Sequence, residues 1–140
     1  MPTTNRSAMP EEKDITYKNL YFKFHPSYQY LEVLIDNKNF SDMKTYITSS
    51  SILLEYALTI RPKYVIVNKL ETDFEVGEKL YQFTRKNIFA PLIGEGVKHF
   101  ICLVKAEAYQ ALYRNIEKNE PFVKSFTSKQ MAIQWIIENS

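Results

Sequence analysis

Two short runs constrain this chain more than any other feature. Tyr64 to Val67 and Phe100 to Val104 are apolar at consecutive positions rather than at alternate ones. A strand with one face in water alternates. One that is apolar throughout is covered on both faces, as a parallel strand flanked by helices is. Each run is followed by a polar break and then by helical spacing: Val76, Leu80, Phe83, Asn87 and Ile88 form the inner stripe after the first, and Ala108, Tyr109, Leu112 and Ile116 after the second. Strands alternating with helices require crossover connections, so these strands are predicted to be parallel neighbours.

The N-terminal part reads differently. Tyr17 to His25 and Tyr28 to Asp36 are strand-like and are separated only by His25-Pro26-Ser27, a spacing that predicts an antiparallel hairpin. A helix should follow, capped by Ser41 or Asn39, with Met43, Ile47, Leu54, Ala57 and Leu58 on its inner face and Pro62 at its end. Ser49-Ser50-Ser51 interrupts that face with small residues, which implies close backbone packing rather than a nucleophile. Pro91, Gly94 and Gly96 break the chain after the second helix. Phe122 to Phe126 is the last strand. Thr127 and Gln130 have the spacing of a capping box for a final helix that buries Met131, Ala132, Trp135 and Ile136. The predicted fold class is α/β, in the order β-β-α-β-α-β-α-β-α: a mixed sheet of about five strands, the later ones parallel, the first antiparallel at an edge. Residues 1–14, polar and with two prolines, are expected to form a disordered tail, and residues 15–140 a single domain.

Charge and cysteine usage narrow the function. Eighteen basic and 16 acidic residues leave a net charge of +2, too balanced for the basic face that nucleic acid requires. Cys102 is the only cysteine, so no intrachain disulfide can form. No signal-like segment opens the sequence and no run of about 18 apolar residues occurs, so the expectation is a cytoplasmic protein without a membrane span. Aromatic residues reach 14%, which suits either a ring-rich core or a partner surface, and a homodimer is one form that surface would take.

No catalytic or metal constellation emerges. His25, His99 and Cys102 lack the spacing of a zinc site. His99 and Cys102 are three apart in a strand, hence on opposite faces, and the thiol lies in an apolar run where it stays protonated. Gly94-Glu95-Gly96 follows a helix and precedes a strand, the reverse of a phosphate cradle. Glu71, Asp73 and Glu75 gather after the Tyr64 strand, and Thr72 with Glu75 has capping-box spacing, so the second helix is expected to start there. No cofactor, metal or catalytic residue is expected.

Several patterns together resemble a known family: Tyr64-Val-Ile-Val-Asn68 before a loop and helix, Gly96-Val-Lys-His-Phe-Ile101 opening a strand, and Phe126-Thr-Ser-Lys-Gln-Met-Ala-Ile-Gln-Trp-Ile136 at the end. From about Tyr17 onward the chain resembles STAS-type domains, and in particular the small stand-alone SpoIIAA-like proteins of bacteria. The resemblance implies a βα superhelix and a non-enzymatic regulatory module that binds a protein partner. In anti-sigma-factor antagonists of that family, a Ser or Thr in an Asp-Ser-Ser-Gly-like motif at the start of the second helix is phosphorylated. Here the stretch reads Asp73-Phe74-Glu75-Val76-Gly77, with no hydroxyl beside the glycine. The implied partner surface is Asn68, Glu71, Thr72, Asp73, Glu75 and Gly77. A second reading takes the protein as a binder of a small apolar or lipid-like ligand between sheet and helices.

Overall fold

The computed structural model describes residues 13–140. Among them six strands form one mixed sheet in strictly sequential order: β1 (Lys13–Tyr17), β2 (Leu20–His25), β3 (Tyr30–Asp36), β4 (Tyr64–Glu71), β5 (His99–Leu103) and β6 (Val123–Phe126). The first three pair antiparallel, and β3 through β6 pair parallel. The α/β class and the parallel later strands are as the sequence implies.

Among the described residues the strands number six rather than about five, because Lys13 to Tyr17 is a strand and not the end of a tail. The first twelve residues of the expected 1–14 tail lie outside the described residues. What the sequence reads as one strand from Tyr17 to His25 is divided by a two-residue turn at Lys18 and Asn19, both at positive φ (47° and 72°). That is the hairpin geometry whose twist matches the flanking strands; Asn adopts it readily and Lys does not, which hides the turn in the sequence.

Helix α1 (Met43–Ile60) connects β3 to β4. Its cap is Asp42 rather than Ser41 or Asn39: the carboxylate accepts from Thr45 N–H at 2.8 Å, while Asp42 N–H donates back to Thr45 Oγ1. The inner face also differs from expectation. Tyr46, Ser49, Ser50, Leu53 and Ala57 are buried, and Met43 is half in water. Ser49 and Ser50 let the helix sit close to its neighbours, with Ser49 Oγ donating to Asn39 O at 2.9 Å.

Helix α2 covers residues 78–94 and joins β4 to β5. It is α-helical at Glu78–Thr84, widens to a π turn at Arg85–Phe89, and is α-helical again at Ala90–Gly94. The wide turn carries the helix past Pro91, which has no N–H for the usual i−4 bond, so Pro91 does not break the chain. Gly96, at φ 91°, does. Helix α3 covers residues 106–119, again with a central π turn at Tyr109–Tyr113, and α4 (Lys129–Glu138) follows β6. Its cap is Ser128, one residue past the expected Thr127, and Met131 faces water.

The two sheet faces are unequal. Leu20, Phe22, Leu31, Val33, Val65, Val67, Phe100, Cys102 and Val123 point to the face that α1, α2 and α3 cover. Tyr30, Tyr64, Ile66, Ile101 and Leu103 point the other way, where α4 inserts Ala132 and Ile136. Three successive crossovers thus run over one face, and only the last helix turns to the other. His99 and Cys102 lie on opposite faces, as their spacing requires: His99 stacks on Tyr64 and meets Trp135 edge-on, while Cys102 is in the main core.

Candidate functional site

Parallel strands end together, so the carboxyl ends of β3, β4 and β5 and the loops beyond them share one edge of the molecule. In α/β sheets this edge is where ligands and partners are met. Here the strand order never reverses, so no crevice follows from topology alone. A cleft of about 340 Å³ arises instead where the loop after β4 diverges from the start of α3.

One wall of the cleft is the loop 72–77, and Thr72 pins it. The single hydroxyl proton of this buried residue is shared between Asn37 Oδ1 (3.0 Å) and Phe40 O (3.3 Å), and its oxygen accepts from Phe74 N–H (3.2 Å). Asn37 Oδ1 also takes Asp73 N–H at 3.1 Å. Phe74 then packs against Phe40 and Tyr46. Thr72 is therefore a latch between two loops and not a helix cap. Helix α2 begins at Glu78 behind Gly77, which offers no side chain to cap it. The expected box at Thr72 and Glu75 fails because its hydroxyl is already used by residues 35 and 32 positions earlier in the chain.

The six expected surface residues do not form one patch. Thr72, Asp73 and Glu75 line the cleft. Glu71 is exposed on an adjoining open groove with Lys38 and Lys44. Gly77 is exposed with nothing near it. Asn68 belongs elsewhere: its amide donates to Glu32 Oε2 at 2.9 Å, on the α4 side of the sheet.

The opposite wall is Val104, Lys105, Glu107, Ala108, Ala111 and Leu112, and Lys105 Nζ bridges the rim to Asp73. The floor is made by two residues the sequence reading did not single out, Lys69 and Tyr113. Lys69 Nζ donates to the Tyr113 hydroxyl and lies 4.7 Å from the centre of its ring. Below them the core is nearly closed, with a void of about 40 Å³ that Tyr46, Thr84 and Cys102 help to line. That is room for a water or two, not for an organic molecule. Tyr46 and Thr84 are bonded at 2.6 Å, and Thr84 passes its proton to Leu80 O at 2.7 Å, so that inner pair is satisfied. A sequence signal for Lys69 did exist: it stands in strand phase with Val65 and Val67, so a charged residue had to point toward the core.

Burial sets the titration of these groups. It pushes the Tyr113 hydroxyl well above the ordinary phenol range. It also raises Tyr46, where the charge of Lys69 works in the opposite direction. The Cys102 thiol is pushed up to about 11 by desolvation. At pH 8 the native thiol should be alkylated by iodoacetamide about 100-fold more slowly than the unfolded chain, from the thiolate fraction alone. Equal rates in the presence and absence of denaturant would contradict its burial. A thiol held protonated contributes stability that is intact below its unfolded value near 9 and is lost as pH rises toward about 11.

Among the described residues no three His, Cys, Asp or Glu side chains come together as a metal site, and no helix is long and apolar enough to cross a membrane. No family model, curated protein or solved structure matches this chain.

Proposed function

We propose that this protein is a non-enzymatic regulatory module of the STAS-like kind, which engages a protein partner through the rim of the strand-end cleft. The observation that carries this reading is the latched loop. Thr72 holds a loop at the carboxyl ends of the strands in one conformation, with Asp73 and Glu75 exposed on it. A surface that is ordered before binding loses less entropy on docking than a mobile one. Sequential strands with successive crossovers on one face also fit the βα superhelix that the resemblance implies. The switch residue of that family has no counterpart here, so control by phosphorylation at this loop is not part of the proposal. A single buried cysteine suits a cytoplasmic setting.

An acidic rim selects a basic partner surface and acts mainly on the rate of encounter. A photo-crosslinking residue at position 75 should therefore capture a discrete partner. The double change Asp73→Lys, Glu75→Lys should reduce that product at least about tenfold, as should salt near 0.5 M. The same crosslinker at position 134, on the exposed side of α4, serves as the control. Equal capture from both positions, or capture that survives charge reversal, would reject the cleft rim as the docking surface. Size measurement of the crosslinked species distinguishes a second copy of this chain from another protein.

A further inference from the structure

The floor of the cleft holds a cation without a counter-charge. Lys105, on the rim of the same cleft, is matched by Asp73, and Lys129, at the other face of the sheet, by Glu32. The Lys69 ammonium, half-buried, meets no carboxylate among the described residues and rests on a neutral hydroxyl and a ring face. Removing an ammonium from water is expensive unless an anion or a full set of acceptors replaces the hydration shell.

Tyr113 sharpens the point. Its oxygen accepts from Lys69, while its own proton reaches no acceptor among the described residues. Lys69 Nζ and Tyr113 Oη are thus two donors side by side on the floor of the cleft. Tyr46, nearby, shows the contrast, since its hydroxyl proton passes to Thr84 and onward to a carbonyl.

The surroundings define what would complete the site. The wall beside these donors is apolar, formed by Val76, Val104, Ala108 and Leu112. The mouth carries Glu75 and Glu107, while Lys105 is already matched by Asp73. Two outer carboxylates repel a polyanion, and one inner ammonium rewards a single negative charge. The geometry points to a binding site for a small organic monoanion, its carboxylate on Lys69 Nζ and Tyr113 Oη and its apolar body along the α3 wall. A volume of about 340 Å³ is at the low end for organic ligands, so the occupant is compact. This site stands whether or not a protein docks on the rim, because its donors lie beneath it.

Calorimetric titration of the full chain tests the assignment, with phenylacetate and hexanoate as probes and phenylacetamide and inorganic phosphate as controls. Both carboxylates should bind saturably at one site, the amide at least about tenfold more weakly, and phosphate more weakly still. Lys69→Met keeps the apolar stem and removes the charge, so carboxylate binding should vanish while the free protein melts no lower than the parent. Tyr113→Phe should weaken binding several-fold. Backbone amide shifts of the unaltered protein on adding phenylacetate give a readout independent of any variant, and should centre on residues 69, 76 and 104–113. No saturable binding of either carboxylate at about 10 mM, an amide or phosphate that binds as tightly, unchanged binding by Lys69→Met, or shifts centred on α4 would each overturn it.

Discussion

Truncating Phe22 to alanine should destabilise the protein by about 3–5 kcal/mol, the range for deleting a buried phenyl ring. Phe22 is fully buried and its ring centre lies 4.6 Å from that of Tyr56 on α1. The residue belongs to β2, one of the antiparallel strands outside the parallel core of the sheet. A full-size effect would therefore mean that the N-terminal hairpin and α1 share one cooperative unit with β4 and β5. Urea unfolding checks this, with the midpoint lowered and the slope unchanged. Thr16→Ala, at an exposed position of the neighbouring β1, should shift stability by only about 0.5 kcal/mol, as surface substitutions usually do. A loss below about 1 kcal/mol for Phe22→Ala would instead show that the hairpin opens separately from the remainder.

Lys129→Met should be nearly as damaging, by about 3 kcal/mol at neutral pH, because it removes one partner of a buried ion pair. Glu32 is 1% exposed, in the middle of β3 on the α4 side of the sheet. One carboxylate oxygen lies 2.8 Å from Lys129 Nζ and the other accepts from Asn68 Nδ2 at 2.9 Å. Lys129 is the first residue of α4, so the pair also fixes where that helix enters its face. Restoring apolar balance with Glu32→Met beside Lys129→Met should recover most of the loss, since the penalty belongs to the stranded charge and not to the missing bond. A double variant as unstable as the single one would show that Lys129 acts through packing of its stem. A single variant as stable as the parent would show that the carboxylate finds water.

The architecture was largely legible because the hydrophobic effect writes a period into the chain. Consecutive apolar residues at 64–67 and 100–104 could only be strands covered on both sides, and the spacing between them required crossovers. Pro62 ended α1 where a proline should, the helix stopping at Ile60 with Arg61 in the left-handed conformation. The first strand was hidden for the complementary reason. Lys13, Asp14 and Thr16 bury little, so that segment is held by its ladder to β2 and not by a pattern of its own. On α1 the close packing read from Ser49 and Ser50 holds, but the buried stripe is rotated toward Tyr46 and Leu53, leaving Met43 half in water and Ile47, Leu54 and Leu58 only partly covered.

The candidate site divides along the same line. Local chemistry determined that a polar, acidic loop follows a buried strand, that Cys102 and His99 cannot meet, and that Lys69 shares a phase with core valines. Only the tertiary structure decided the rest, because each remaining assignment depends on residues distant in sequence. Thr72 has the spacing of a cap, yet Asn37 and Phe40 claim its hydroxyl. Asn68 sits next to the acidic cluster in sequence, yet Glu32 draws it to the other face of the sheet. Lys69 and Tyr113 are 44 residues apart, and they meet only where β4 and α3 are packed together. Periodicity reports which side of an element is buried; what a buried polar group finds there is set by the long-range contacts.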